Sequence, residues 1–166
     1  MFPDWLLVLF ACCLMLGGCG FQLRGSEELA VDRIHLAGAY VRSPVGRALA
    51  GELEVQGIQL VGSLPDVIVL ELIDEHSSRR RIATSALIDA AEYELRLVLT
   101  FSVSRNGDLL MGDLTLGSQR IYEVDQDNLS GSHEEERLLL AEMRADLARQ
   151  VIRSIDVVLR HESDAL

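Results

Sequence analysis

The feature that most restricts the fold is the run 93–103, YELRLVLTFSV. Tyr93, Leu95, Leu97, Leu99, Phe101 and Val103 fall on one side of an extended chain. Glu94, Arg96, Thr100 and Ser102 fall on the other, with Val98 the one apolar residue among them. Successive side chains of a strand point to opposite faces, so the pattern describes a strand with one buried face and one polar face. A sheet built on it needs an apolar layer on one side only.

Two segments can supply that layer. Ser43-Pro44 is a helix start, with serine as N-cap and proline at the first helical position. Val45, Leu49 and Leu53 then recur every four residues, and Gly57 suits the stop. A second, longer helix is predicted from a capping box at Ser132 and Glu135, with Ser130-Gly131-Ser132 as the loop and cap before it. Glu134, Glu135 and Glu136 sit near its positive end, and Arg153 and Arg160 lie toward its negative end. Its expected apolar stripe is Leu138, Ala141, Ala145, Ala148, Ile152, Ile155 and Leu159. Leu140, Leu147, Val151 and Val158 widen that stripe.

The remaining strands are read at 31–37, at 58–61 as a short piece, and at 67–75, where Ile68, Leu70 and Leu72 share a face. Residues 63–66 read as a turn. Arg105-Asn106-Gly107-Asp108 is a hairpin turn whose Asn-Gly pair suits positive φ. The strand after it, 109–124, is weakened by Gly112 and Gly117. The order is β-α-β-β-β-α. The expected fold is a two-layer α+β domain, a mixed and largely antiparallel sheet of about four strands with two helices on one face. The uncovered face is either solvated or lines the wet cavity of a partner.

The N-terminal segment carries an address. Residues 5–16 are apolar, within the length of a signal h-region and short of the roughly 20 residues that span a bilayer. They lead into Leu16-Gly17-Gly18-Cys19, the layout of a bacterial lipoprotein signal. Residues 1–18 are then the signal peptide and 19–166 a single domain. Cys19 is the expected attachment point for an N-acyl chain and an S-diacylglycerol. No Lys or Arg precedes the apolar run, only Asp4. Cys12 and Cys13 leave with the signal and Cys19 is consumed by lipid, so disulfides, thiol catalysis and cysteine metal sites are excluded. Each buried methylene adds about 0.8 kcal/mol, so several acyl chains make a durable tether. Gly20 follows the cysteine where an inner-membrane lipoprotein carries Asp, which by analogy directs the chain to the outer membrane.

With 26 acidic and 15 basic residues the net charge is −11, which excludes a general binder of nucleic acid or other polyanions. Any phosphate site must be local. All 15 basic residues are Arg, and the densest cluster is Arg79-Arg80-Arg81, expected on a hairpin between the second and third main strands. Arginine forks match phosphate oxygens. The same residues also read as a solvated hairpin tip, or as arginines paired with a partner's acidic groups. Leu87-Ile88 is either an apolar tip on that hairpin or local packing. His35, His76, His133 and His161 are scattered without metal-ligand spacing. No nucleophile elbow or P-loop lysine is present, so neither enzyme activity, a cofactor nor a metal is expected.

Three pieces carry a family resemblance: Cys19-Gly20-Phe21-Gln22-Leu23-Arg24, then Ala91-Glu92-Tyr93-Glu94-Leu95, then Glu142-Met143 within an acidic-started, leucine-rich helix. In that order, over essentially all of 19–166, the chain resembles the LptE family of LPS-assembly lipoproteins. The resemblance implies an outer-membrane, lipid-anchored protein facing the periplasm. It implies a heterodimer in which the chain plugs the lumen of the LptD barrel, helps it assemble, and contacts lipopolysaccharide (LPS) on its way to the surface. Arg79, Arg80 and Arg81 are then the candidate LPS contacts, through the phosphates of lipid A. Basic positions proposed for that contact in some relatives fall near Ala86 and Ser132, and neither is basic here. The alternative is a stand-alone, periplasm-facing lipoprotein scaffold or ligand-binding module with no barrel partner.

Overall fold

The computed structural model describes residues 31–84 and 90–164. Cys19, Ala86 and Leu87-Ile88 lie outside the described residues. The elements are β1 (Arg33–Gly38), α1 (Pro44–Val55), β2 (Gln59–Leu60), β3 (Ile68–Thr84), β4 (Ala90–Arg105), β5 (Asp108–Asp125) and α2 (Leu129–Asp164). The sheet has five strands in the order β2-β1-β3-β4-β5. Pairing is parallel around β1 and antiparallel from β3 to β5. The architecture is the expected two-layer α+β fold, with the short piece near 58–61 joining the sheet as a fifth strand.

Local chemistry explains the starts and stops. Ser43 is extended, and its Oγ accepts from the Gly46 amide at 2.9 Å. The same hydroxyl donates to Glu75 of β3, fastening α1 to the sheet. Gly57 ends the helix at φ 82°. Asn106 and Gly107 take φ 54° and 91°, the left-handed pair that a two-residue hairpin needs. Gly46 is obligatory for space, because a Cβ there would stand 2.4 Å from the Tyr40 and Val41 carbonyl oxygens.

The core lies between the helices and one face of the sheet. Leu95, Leu97, Leu99, Phe101 and Val103 of β4 meet Val45, Leu49 and Leu53 of α1 and Met143, Leu147, Val151 and Ile155 of α2, all buried. Ile34, Ile68, Leu70 and Leu72 extend it across β1 and β3. Arg120 pairs with Asp146 at 2.8 Å and Arg105 with Glu162 at 2.9 Å, pinning α2 to the sheet at two levels.

The structure corrects three expectations. α2 starts at Leu129, not after Ser132. Asn128 caps it, its Oδ1 accepting from the Gly131 amide at 3.2 Å. Ser132 is buried inside the first turn, where its Oγ accepts from the Asp125 amide at 3.0 Å. The three glutamates therefore fall beyond the first turn. The apolar stripe is also rotated at its beginning. Leu138 is half exposed and Ala141 is exposed, and the inward positions are Leu140, Met143 and Leu147. Finally, β3 does not stop at Glu75 but runs on to Thr84, carrying Arg79, Arg80 and Arg81 inside a paired strand rather than on a hairpin tip.

Candidate functional site

A one-residue irregularity in β3 sets up the site. Leu72 pairs with Phe101 and Asp74 with Thr100, leaving Ile73 as an extra residue. A bulge of this kind inverts the alternation of everything beyond it. Before it, Ile68, Leu70 and Leu72 face the helices. After it, Glu75, Ser77, Arg79 and Arg81 do so, opposite Leu99, Leu97, Leu95 and Tyr93. The helix-side face of β3 thus turns from aliphatic to polar within one residue.

The polar stretch is tolerated because α1 is short. Its 12 residues span about 18 Å, against about 56 Å for the 17 residues of β3. Beyond α1 only α2 lies over the sheet, and a groove opens beside it. That groove, about 460 Å³, is lined by Arg79, His133, Glu136, Arg137, Leu140 and Arg144.

Arg79 enters the groove from a stack of rings and guanidinium groups. Arg79 lies over the Tyr93 ring at 3.9 Å from its centre and beside the Tyr122 ring at 5.8 Å. Its Nε donates to the Tyr122 hydroxyl at 2.8 Å. Arg81 donates to the Tyr93 hydroxyl through Nε and Nη2 at 3.1 and 2.8 Å. Tyr122 donates in turn to Glu136, which also lies 3.4 Å from the Arg79 Nε. Burial, then the hydrogen bond to Glu136, push the Tyr122 phenol up to about 12, so it stays protonated and a donor.

The groove holds surplus positive charge in an acidic protein. Arg137 is met by Glu134, whose carboxyl the guanidinium holds below its usual range. Arg79 is met by Glu136. Arg144 has no ion pair among the described residues, and its Nε is buried without a hydrogen-bond partner there. Guanidinium groups held by stacking and hydrogen bonds, with free donor edges, suit a multiply charged oxyanion. Among the described residues no cluster of His, Cys, Asp and Glu could hold a metal ion.

The structure divides the arginine triplet. Of the three, Arg79 alone lines the groove; Arg81 lies on the same face of the strand, held by the Tyr93 hydroxyl, whereas Arg80 points to the opposite face and pairs with Glu94 at 3.1 Å. Arg137, Arg144 and His133 were not singled out by sequence as companions. Their spacing of four and seven residues within 133–144 places them on one helix face, but it becomes informative only when that face has a partner. The open face of the sheet is polar, as expected. Arg80, Glu94 and Gln119 form one network there, and Thr100 bonds Thr115 at 2.9 Å.

The comparisons with known proteins agree with this architecture. Residues 27–155 match the family model "LptE: Lipopolysaccharide-assembly". The LPS-assembly lipoprotein LptE of Photorhabdus laumondii is 27% identical over 159 residues, covering 90% of this chain and 83% of that protein. The protein of the same name from Pectobacterium atrosepticum is 24% identical over 156 residues, with the same coverage of 90% and 83%. In fold, the chain is similar to the crystal structure of rare lipoprotein B from Shewanella oneidensis, with TM-score 0.69, 23% identity, and coverage of 79% of this chain and 98% of that one. It is likewise similar to the solution structure of a lipoprotein B from Nitrosomonas europaea, with TM-score 0.68, 19% identity, and coverage of 85% and 93%.

Proposed function

This chain belongs to the LptE lipopolysaccharide-assembly family, and on that premise we propose that it is an outer-membrane lipoprotein serving LPS delivery as the plug and assembly partner of an LptD barrel. The role is that of a binding and assembly factor, not an enzyme. Cys19 carries the acyl chains that hold it to the membrane, facing the periplasm and the barrel lumen. A barrel lumen is polar and wet. The open face around Glu94, Arg96 and Thr100 suits such surroundings, since it is polar and lies on the side of the sheet away from the helices.

The observation that carries LPS contact is the groove of Arg79, Arg137 and Arg144 beside α2, with Arg81 next to it. Lipid A phosphates fit forked donors of this kind, and the local surplus of guanidinium groups overcomes the repulsion of a chain with net charge −11. The contact therefore belongs to Arg79 and Arg81 of the triplet, and Arg80 is left to its pair with Glu94.

Pull-down of the C-terminally tagged protein from detergent-solubilised outer membranes tests the partnership. One large barrel at equal stoichiometry, resistant to salt, is the expected result; membrane-bound protein without a barrel refutes it. For the groove, Arg144→Glu is expected to weaken LPS binding by about tenfold or more, as loss of a charge-assisted contact does. Unchanged binding removes the groove from the reading.

A further inference from the structure

The sheet has two unequal edges. β2 ends it on one side with 2 residues, which is one of the ways natural sheets avoid edge pairing. β5 ends it on the other with 18 residues, none of them Pro or Lys. The irregularities of β5 are confined to its beginning, opposite the stretch from Phe101 to Ser104. From Leu114 to Asp125 its register with β4 is continuous. Its outer row of amides and carbonyls meets no further strand among the described residues.

An apolar groove runs beneath this edge on the helix side. Met111, Leu114 and Leu116 of β5 and Val157 and Val158 of α2 line a space of about 480 Å³, with Gln150, Arg153 and Ser154 of α2 at its side. A second groove of about 450 Å³ continues past Leu109 and shares both valines. Val157 is 53% exposed and Leu109 66%. On the opposite side of the strand the charges are negative. Asp113 and Glu123 are exposed and have no ion pair among the described residues. Glu123 lies directly across from Glu92 of β4, a like-charge juxtaposition that nothing described relieves. The one arginine of β5, Arg120, is on the helix side and held by Asp146.

We propose that the β5 edge docks an extended segment of a partner polypeptide in which aliphatic side chains alternate with Lys or Arg. Strand addition supplies main-chain hydrogen bonds, and alternate side chains supply specificity. The aliphatic positions enter the groove at Leu114, Leu116 and Val157. The cationic positions, on the other side of the incoming strand, meet Asp113 and the Glu92–Glu123 pair. A second copy of this chain is the poorer occupant, because it brings net charge −11 to the same carboxylates. The inference is independent of the anion groove beside Arg79.

The test uses the purified protein and a synthetic 12-residue peptide of alternating Val and Lys, a length that covers about 40 Å of strand. Binding is read by fluorescence anisotropy, and β5 amides are followed by hydrogen exchange. The basic peptide is expected to bind and to slow exchange within 114–123, and its Val/Glu counterpart to do neither. Val157→Asp is expected to weaken binding about tenfold without a change in melting, because the side chain is exposed. Asp113→Lys combined with Glu123→Lys is expected to transfer preference to the Val/Glu peptide. Binding without β5 protection overturns the proposal, since any acidic protein attracts a basic peptide. It is also overturned if dodecanoate protects the same amides in place of peptide, which would mark an acyl-chain site, or if protection rises with protein concentration alone, which would mark a second copy.

Discussion

The half of the sheet near the Asn106-Gly107 turn and the half beyond Ile73 are built from the same strands, yet they differ in what they place under the helices. In the first, Leu70 and Leu72 of β3 face Val103 and Phe101 of β4, and two helices seal them. In the second, Arg79 and Arg81 take the corresponding positions beside Tyr93 and Tyr122, and only α2 overlies them. The first half is an apolar core, with the Arg105–Glu162 pair at its margin. The second buries aromatic rings but keeps charged groups at the margin of water. A bulge and the short length of α1 are enough to make the helix side of one strand aliphatic at one end and cationic at the other.

The apolar half is the more sensitive of the two to substitution. Phe101→Ala deletes a fully buried ring, and a loss of about 3–5 kcal/mol in unfolding free energy by urea titration is expected. Gly46→Ala pushes a methyl group into the Tyr40 and Val41 carbonyls where α1 begins, with an expected cost of about 1–3 kcal/mol on the same assay. Neither change touches the anion groove, so residual folded protein should bind LPS normally.

From the other half, Tyr122→Phe removes the hydroxyl that links Arg79 to Glu136, and about 1 kcal/mol of stability goes with it. Its signature is in the pH dependence. The phenol is raised from 10 to about 12 in the folded protein, so the folded state holds that proton more tightly. The contribution is fully present below pH 10 and is lost as pH rises through 12. Alkaline titration of stability should therefore show a steeper fall in the wild type than in Tyr122→Phe; parallel curves would contradict the assignment. The smallest effect belongs to Arg80→Ala. Its pair with Glu94 is exposed, so stability should change by less than about 1 kcal/mol and LPS binding should not change.

Much of this was legible in residues that act locally. The alternation of 93–103, the Ser43-Pro44 start, the Gly57 stop and the Asn106-Gly107 turn each follow from sterics within a few residues, and each stands where the sequence placed it. The far half of β3 was not legible, because alternation is visible only when one face is apolar. Glu75, Ser77, Arg79 and Arg81 erase that signal on the helix side. The start of α2 was hidden for a related reason. Asn128 and Ser132 are both good caps, and only the buried hydrogen bond from the Asp125 amide assigns Ser132 another task.

Side-chain period, charge and short-range backbone preference were enough to define a one-sided sheet with two amphipathic helices in an acidic chain. The parting of Arg79 and Arg81 from Arg80, and the meeting of Arg79 with Arg137 and Arg144, came only from tertiary contact. Which face a strand residue occupies beyond a bulge depends on the register of its neighbour, and which helix face meets it depends on where a shorter helix ends.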